Sequence, residues 1–312
     1  MLLDECMRAL GPRPGETVCD CTLGGAGHSI SLARAIAPDG LLIGIDRDDA
    51  ALDAARSRLA EAETGLERDP VLLKGNFSDL DDLLLSARVP GVDVFLFDLG
   101  VSSPQFDIAE RGFSYRADAP LDMRMDPATQ TLTASEVLAT YGERELARVL
   151  RDGGEEKWAQ RIAHAVCERR SEAIESGGLT TLWFASVVKD AVPAAARRTG
   201  GHPAKRAFQA LRIEVNGELT ALERGLGAAI RWLDSGGRIA VISYHSLEDR
   251  RVKDAFREME DRCTCPPDLP VCACGREPVL EVMTRRPIEA TAGEVERNPR
   301  ARSAKLRVAR KL

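Results

Sequence analysis

The sequence lacks several features that would assign it to whole classes of protein. Its longest apolar runs are far too short to span a bilayer, which excludes an integral membrane helix protein. The first ten residues carry Asp4 and Glu5 and do not have the basic-then-apolar order of a signal peptide, so we expect a cytoplasmic protein. No internal repeat or low-complexity tract is present. The net charge of −6 also excludes a surface that binds nucleic acid everywhere, although a local basic face can still bind phosphate.

Cysteine is the next informative residue type. A chain without a secretion signal should keep most of its eight cysteines as thiols. Cys6, Cys19, Cys21 and Cys167 have the pattern of small core residues. The remaining four form two close pairs, Cys263 with Cys265 and Cys272 with Cys274. Such pairs either hold a structural zinc ion or are free thiols in a loop, and we assign no metal ligand.

The order of the predicted elements indicates the fold. Strands are predicted at residues 17–22, 41–46, 71–76 and 92–99, each followed by a helix, which is typical of a parallel, doubly wound α/β sheet. Only helical patterns occur at 133–198, beginning with a capping box of Thr133 and Glu136. A long helix at 203–234 and a strand at 238–244 follow, then a helix at 246–261 and weaker strands at 279–284 and 304–309. The sheet is therefore predicted to contain an inserted all-helical domain at 107–202, between sheet segments at 1–106 and 203–312.

The loop from Asp20 to Ser29 predicts a nucleoside-containing cofactor. Its glycines allow close approach of the backbone to a ligand, and the helix that follows offers free N–H groups. Asp46, at the end of the second strand, can accept hydrogen bonds from ribose hydroxyls. The third glycine of the dinucleotide motif is absent, and Asp20 would repel a pyrophosphate, so the charges favour S-adenosylmethionine over NAD. The alternative is a tight turn without a ligand.

The segment Asp98–Phe106, of sequence DLGVSSPQF, leaves the most strand-like run in the chain. Its Ser-Ser-Pro-Gln part is loosely similar to the loop of enzymes that methylate exocyclic amines, where oxygen acceptors hold the amine beside the methyl donor. A turn containing proline is the alternative interpretation. Phe77, after the third strand, either stacks on adenine or belongs to the core.

Several longer motifs carry a resemblance to a known family. These motifs are DLGVSSPQF, ERGFSY (Glu110–Tyr115), PLDMRMD (Pro120–Asp126), HPAKRAFQALR (His202–Arg212), VNGEL (Val215–Leu219), SYHSLEDR (Ser243–Arg250) and NPRARS (Asn298–Ser303). Together they resemble the bacterial 16S ribosomal RNA cytosine-N4 methyltransferases, the RsmH or MraW family, over almost the whole chain. The resemblance implies a Rossmann-like class I S-adenosylmethionine-dependent methyltransferase sheet with an inserted helical domain that helps to recognise RNA.

The resemblance also implies the reaction and the site residues. The reaction would be methylation of N4 of a cytidine, cytosine 1402, in the decoding centre of 16S ribosomal RNA, by direct in-line transfer. The expected donor-binding residues are Ala26, Gly27, His28, Asp46, Phe77, Asp98 and Gln105. The expected catalytic residues, which would receive the amine of a cytosine turned out of its stack, are Asp98, Ser102 and Ser103.

Two departures from the family pattern and two alternative functions complete the prediction. The chain begins at Met1 where the family usually has a preceding His-x-Pro-Val, and the cysteine pairs at 263–274 are shared with only some relatives. The alternatives are an oxidoreductase that uses NAD and an RNA-binding assembly factor that keeps the donor pocket without turnover.

For His28, His202 and His245 a structural role is as probable as proton chemistry. Candidate RNA-phosphate contacts are Arg111, Arg116, Arg124, Lys205, Arg206, Arg212 and the basic residues of 297–312.

Overall fold

The computed structural model describes residues 1–198, 201–260 and 277–312, together with Cys265, Leu269 and Cys274; the side chains of Ser103, Pro104 and Arg198 are outside this description. The chain forms two compact units. The first comprises Met1–Gly100 and Leu219–Leu312, and the second comprises Val101–Glu218. The second unit is thus an insertion in the first. The predicted domain limits of 106 and 202 stay a prediction.

The first unit is built on a mixed sheet. Its strands are β1 Thr17–Asp20, β2 Leu41–Asp46, β3 Val71–Lys74, β4 Val92–Asp98, β5 Leu233–Ser243, β6 Leu280–Val282, β7 Ile288–Glu289 and β8 Lys305–Lys311. They are ordered β3-β2-β1-β4-β5-β8-β6, and β7 also pairs with β8. The first five strands of this order are parallel, and β8 is antiparallel to its neighbours. This is the predicted Rossmann-like class I methyltransferase sheet.

Thirteen α-helices are assigned in the described residues. They are α1 Leu3–Leu10, α2 Gly27–Ile36, α3 Asp49–Glu61, α4 Leu80–Ser86, α5 Ser103–Asp107, α6 Ala134–Thr140, α7 Glu143–Gly154, α8 Ala159–Glu175, α9 Thr181–Ala191, α10 Lys205–Asn216, α11 Glu218–Trp232, α12 Ser246–Glu260 and α13 Ala292–Arg297. None of these helices is both long and apolar enough to cross a membrane. Helices α5 to α10 belong to the second unit, which confirms that the insertion is helical.

Strand β4 shows why the middle of a central strand is apolar. Its side chains alternate between two buried clusters: Val94 and Leu96 belong to one, and Phe95 and Phe97 belong to the other. All four side chains are fully buried. A parallel sheet covered on both faces requires this continuous apolar run. The polar groups of the strand are therefore confined to its ends, where Asp98 lies.

The second unit has its own hydrophobic core, and a buried polar side chain connects two of its segments. Thr133 and Glu136 form the predicted capping box at the start of α6. Buried Asn216, at the end of α10, accepts a hydrogen bond from the N–H of Met125 at 2.9 Å and donates one to the carbonyl of Met123 at 2.8 Å. The motif PLDMRMD is therefore held to α10 by an amide side chain that satisfies otherwise unpaired backbone groups.

Several strands end one or two residues away from their predicted limits, and two elements differ more strongly. The helix predicted at 203–234 is divided at Gly217, whose φ of +60° ends α10 in the left-handed conformation that favours glycine. Strand β5 starts at Leu233, five residues early, and absorbs the Ser-Gly-Gly segment as an irregularity: Val92 pairs with Leu233, but Val94 pairs with Arg238. The strand predicted at 304–309 is confirmed as β8, so the last part of the basic C-terminal segment belongs to the sheet.

Candidate active site

Three carboxylates lie at the same edge of the sheet. Asp20, Asp46 and Asp98 are the last residues of β1, β2 and β4, and these strands are direct neighbours in the order β2-β1-β4. The carboxyl ends of parallel strands are where ligands bind in open α/β sheets. An edge with three carboxylates repels a pyrophosphate and suits a cationic sulfonium and ammonium group.

The buried side chain of Asp20 holds the glycine loop in place through hydrogen bonds. It is only 2% exposed, and its Oδ2 accepts a hydrogen bond from Ser29 Oγ at 2.5 Å. Its Oδ1 accepts one from the N–H of Thr22 at 3.1 Å. Burial raises the pKa of Asp20, and the hydrogen bond from Ser29 partly offsets this effect. Its carboxylate therefore faces the loop's own backbone and Ser29.

The loop itself leaves room for a ligand next to Asp46. Gly24 and Ala26 both have positive φ, +49° and +58°, and Ala26 is fully buried. At Gly27 no atom lies within 4 Å of the position that a Cβ would occupy, so the space above the start of α2 is open. Asp46 Oδ2 accepts a hydrogen bond from the N–H of Gly24 at 2.8 Å, and Oδ1 accepts one from Asp48. Each oxygen keeps a second lone pair, which fits a pair of ribose hydroxyls.

Asp98 is held by two side chains. Its Oδ1 accepts a hydrogen bond from the Tyr244 hydroxyl at 2.5 Å, and its Oδ2 lies 3.5 Å from Nδ1 of His28. The other ring nitrogen of His28 contacts the carbonyl oxygen of Met1 at 2.9 Å. Burial raises the pKa of Asp98, while the charge of His28 and the hydroxyl of Tyr244 lower it in part. The carboxylate is thus fixed in orientation and tuned by its partners.

Gly100 makes room for the tyrosine. Its φ is +99°, and a Cβ there would lie 3.2 Å from Cδ2 of the Tyr244 ring. Glycine is required at this position for both its backbone conformation and the close approach of the ring. The glycine of the DLGVSSPQF motif therefore has a physical function in the site, since it allows Tyr244 to reach Asp98.

Phe77 packs on the core, and its predicted role toward the adenine stays a prediction. It follows β3, and its ring packs edge-to-face on Phe97 with ring centroids 5.6 Å apart. A Cβ at Gly225 of α11 would lie 2.7 Å from the Phe77 ring, so that glycine accommodates it. The residue remains partly exposed while it packs against the core cluster. A ring fixed in this way can offer its remaining surface to an adenine.

The other predicted site residues belong to the second unit. Gln105 is buried, and its Oε1 accepts a hydrogen bond from the N–H of Ser102 at 3.0 Å, which closes the first turn of α5. The side chain of Ser103 lies outside the described residues. The roles of Ser102, Ser103 and Gln105 toward donor and amine stay predictions.

The sequence analysis missed two residues of the site. Thr22 Oγ1 accepts a hydrogen bond from the N–H of Asp98 at 2.6 Å and contacts Asp20 Oδ1 at 3.4 Å, so it joins the ends of β1 and β4. Tyr244 was seen only as part of a family motif. A polar residue two positions after the strand-terminal Asp20 was the available signal for Thr22. No local pattern indicated the pairing of Tyr244 with Asp98, because the two are 146 residues apart.

His245 has a local structural role. Its Nδ1 accepts a hydrogen bond from the N–H of Glu248 at 3.3 Å, and its Nε2 lies 3.1 Å from Glu248 Oε1. Glu248 Oε2 in turn accepts a hydrogen bond from the N–H of Tyr244 at 2.8 Å. The pair fixes the turn from β5 into α12, and so it also fixes the backbone that carries Tyr244.

Several of the basic residues predicted to contact RNA are hydrogen-bonded to other groups of the protein. Arg124 forms a two-pronged pair with Asp122, Arg212 forms one with Glu218, and Arg111 donates to two backbone carbonyls. A guanidinium group held in this way has few donors left for a phosphate. In the C-terminal segment, Arg307 pairs with Asp249, Arg310 pairs with Glu281, and Lys311 donates to carbonyls. Arg310 is exposed despite its pair, and the other exposed members of the predicted set are Arg116, Lys205, Arg206, Arg297, Arg300 and Arg302.

Among the cysteines, Cys6, Cys19 and Cys21 are buried as predicted, and burial raises the pKa of Cys6 and Cys21. Cys167 is partly buried against the core of the second unit. Of the two candidate zinc pairs, Cys263 and Cys272 lie outside the described residues. The zinc and free-thiol interpretations therefore both stay predictions.

Comparison with known proteins identifies the family. A profile of the MraW methylase family matches residues 1–312. The chain is 52% identical over 313 residues to the ribosomal RNA small subunit methyltransferase H of Symbiobacterium thermophilum, with 100% of this chain and 96% of the relative covered. It is 52% identical over 319 residues to the protein of the same name from a Paenibacillus species, with 100% and 98% covered. A solved rRNA methylase from Streptococcus thermophilus is similar at 12% identity with a TM-score of 0.40, covering 99% of this chain and 93% of that one.

The family match covers both sheet segments and the insertion, and it decides between the two cofactors that the glycine loop left open. S-adenosylmethionine is the methyl donor, and the oxidoreductase alternative is excluded. The chain therefore belongs to the MraW methylase family and is a methyltransferase.

Proposed function

We propose that this protein methylates N4 of a cytidine, cytosine 1402, in the decoding centre of 16S ribosomal RNA. The observation that carries the proposal is the position of Asp98. It ends the central strand β4 beside the donor loop, and its carboxylate is oriented by Tyr244 and His28. The relatives' name, ribosomal RNA small subunit methyltransferase H, supports the same substrate.

The chemistry of an exocyclic amine explains why an oriented acceptor is needed. The lone pair of the cytosine amine is delocalised into the ring, so N4 is a weak nucleophile until its hydrogens are held. We propose that Asp98, with Ser102 and Ser103, accepts hydrogen bonds from those hydrogens and draws N4 toward tetrahedral geometry. S-adenosylmethionine supplies the methyl group as a sulfonium. N4 attacks the methyl carbon in line as the carbon–sulfur bond breaks, and N4 then loses one proton to solvent.

The donor pocket is proposed to be formed by the glycine loop and the strand ends. Ala26, Gly27 and His28 would line the methionine end, and Asp46 would bind the ribose hydroxyls. Phe77 would flank the adenine. Gln105 would complete the pocket together with Asp98. The open space at Gly27 and the lone pairs left on Asp46 support these roles.

The remaining features of the proposal concern the partner. We propose that the substrate is 16S ribosomal RNA within the small ribosomal subunit, which places the enzyme in the cytoplasm. The inserted helical domain, predicted at 107–202, would contact the RNA outside the reacting nucleotide. The exposed basic side chains Arg116 and Lys205 of the second unit support this role, because RNA phosphates require cations with free donors. Arg206 is also exposed, and its Nη1 donates to the carbonyl of Glu155.

The test is transfer of radiolabelled methyl from S-adenosylmethionine into unmodified small subunits, with nucleoside analysis of the product. We expect the label in N4-methylcytidine at one position of 16S ribosomal RNA. Asp98→Asn should reduce the rate of methyl transfer at least tenfold. The asparagine amide has one acceptor oxygen where the carboxylate has two, so its NH₂ group cannot accept a hydrogen bond from the cytosine amine. Asp93→Asn is the matched control. Asp93 lies near the opposite end of the same strand, where it accepts a hydrogen bond from the N–H of Thr17.

Two outcomes would contradict the proposal. Label in another nucleoside would refute the N4 specificity. No label, with S-adenosylmethionine still bound in a calorimetric titration, would favour the assembly-factor alternative.

A further inference from the structure

The second unit carries a line of aromatic rings that runs from its core to its surface. Phe184 and Phe208 are buried, with ring centroids 5.4 Å apart. Tyr115 packs edge-to-face on Phe208 at 5.1 Å, and the ring of His202 stacks on Tyr115 at 4.3 Å with an interplanar angle of 15°. His202 is exposed. The outermost ring of the line is thus supported from beneath by rings of fixed orientation.

Local hydrogen bonding fixes the orientation and tautomer of His202. Its Nδ1 accepts a hydrogen bond from the N–H of Ala204 at 3.2 Å, and its carbonyl accepts one from the N–H of Lys205 at 3.1 Å. A ring whose Nδ1 accepts a hydrogen bond carries its proton on Nε2. Partial burial and the nearby charge of Lys189 lower the pKa of His202, which favours the neutral imidazole at pH 7. A neutral, planar and pre-oriented ring has little entropy to lose when a second planar group stacks on it.

The charges around the two rings are cationic. Burial raises the pKa of Tyr115, and the charge of Arg116 lowers it; burial and the charge of Lys189 lower the pKa of His202. Lys205 and Arg206, which begin α10, are exposed beside the platform residue His202. An exposed aromatic ring surrounded by cations suits a planar base attached to an anionic backbone.

We propose that the stacked Tyr115–His202 pair is a platform on which an unpaired base of the substrate RNA stacks, with Arg116 and Lys189 facing its phosphates. Unpaired bases are recognised in this way, because every base offers a π-face and histidine and tyrosine can both stack on it. The proposal rests on the proposed function, since it concerns a nucleotide of the same RNA. It assigns a chemical role to the motifs ERGFSY and HPAKRAFQALR, which the active site does not use.

Two substitutions at His202 separate stacking from a purely structural role. His202→Phe keeps an aromatic ring but loses the Nδ1 acceptor for Ala204. His202→Asn keeps an acceptor at a similar position but loses the ring. A base stacked on an aromatic side chain contributes about 1–3 kcal/mol, which is about 5- to 150-fold in affinity. We therefore expect His202→Asn to weaken RNA binding by that factor and His202→Phe to stay within about threefold of the unchanged protein.

The measurements are affinity for a single-stranded RNA that contains 2-aminopurine, whose fluorescence is quenched on stacking, and KM and kcat of methyl transfer to small subunits. His202→Asn should lose the quenching and raise KM with kcat unchanged. Lys189→Ala should reduce the slope of log affinity against log salt by about 0.7, the contribution of one phosphate contact to a single strand. His164→Ala is the matched control, because His164 is an exposed histidine of the same unit that pairs with Glu143.

The opposite pattern would overturn the proposal. If His202→Phe loses affinity while His202→Asn keeps it, the residue serves only to cap the turn before α10. Unchanged quenching and affinity in both variants would show that no base stacks there. Because binding is read without methyl transfer, a protein that binds RNA as expected but labels no cytidine would refute the proposed function and leave the platform intact.

Discussion

Removing one hydroxyl group, in Tyr244→Phe, tests the central feature of the site. The Tyr244 hydroxyl donates to Asp98 Oδ1 at 2.5 Å, and the Asp98 side chain is 21% exposed, so the lost hydrogen bond is poorly replaced by water. A hydrogen bond to a charged group contributes about 1.5–3 kcal/mol. If it holds Asp98 in its reactive orientation, kcat/KM should fall about 10- to 150-fold. The ring stays in place, so the contact with Gly100 is kept.

The same substitution should change the pH dependence in a known direction. The Tyr244 hydroxyl lowers the pKa of Asp98, against the opposite and larger effect of burial. Without the hydroxyl the pKa rises further, so the active carboxylate is lost at a higher pH as the solution is acidified. The acid limb of kcat/KM should therefore move upward by about 1–2 pH units, since one unit corresponds to 1.36 kcal/mol.

The assay is methyl transfer to small subunits across the pH range, with donor binding measured in parallel. Tyr141→Phe is the matched control, because it removes a tyrosine hydroxyl that donates to a carboxylate within the second unit, that of Glu214, at 3.2 Å. A Tyr244→Phe enzyme with a rate within twofold of the unchanged protein and an unmoved acid limb would refute the reasoning.

Two further predictions concern donor binding and stability. Asp46→Asn keeps one oxygen for the two N–H groups that the carboxylate now satisfies, so calorimetry should find at least tenfold weaker S-adenosylmethionine binding. Asp53→Asn is the matched control and should bind normally, because Asp53 is exposed on α3 and pairs with Arg56. Asp249→Asn leaves buried Arg307 without its ion pair, and urea unfolding at pH 7 should show a loss of about 3–5 kcal/mol. Arg307 lowers the pKa of Asp249 overall, although burial alone would raise it, so this stabilisation exists above the unfolded-state pKa and disappears as the pH falls through the folded-state value. The difference between variant and unchanged protein should accordingly shrink in acid, and an equal difference at both pH values would contradict this assignment.

The parts of the fold that could be predicted are those that depend on local pattern. Strand β2 has its predicted limits, and β4 ends one residue before its predicted limit, because a buried parallel strand is a continuous apolar run ended by a carboxylate. The capping box at Thr133 was also predictable, since both of its residues lie within one turn. Gly217 was harder, because a glycine within an apolar-periodic segment is tolerated in many helices, and only the backbone conformation shows that it ends α10.

The basic residues show where local pattern misleads. Arg111, Arg124 and Arg212 look like phosphate ligands in a sequence, but each is bonded within the second unit. A count of charges does not show which guanidinium groups have donors left. Burial and pairing are properties of the folded chain, so the exposed Arg116 and Lys205 could be separated from the others only by the structure.

The sequence by itself determined the alternation of strands and helices, the helical insertion, and the three strand-terminal carboxylates Asp20, Asp46 and Asp98, because each depends on residues close together in the chain. Only the tertiary structure decided which side chains orient them. Ser29 and Thr22 hold Asp20, and Tyr244 reaches Asp98 from 146 residues away across Gly100. Such pairings arise when parallel strands bring their ends to one edge, and their geometry is set by register and packing, which no local pattern contains.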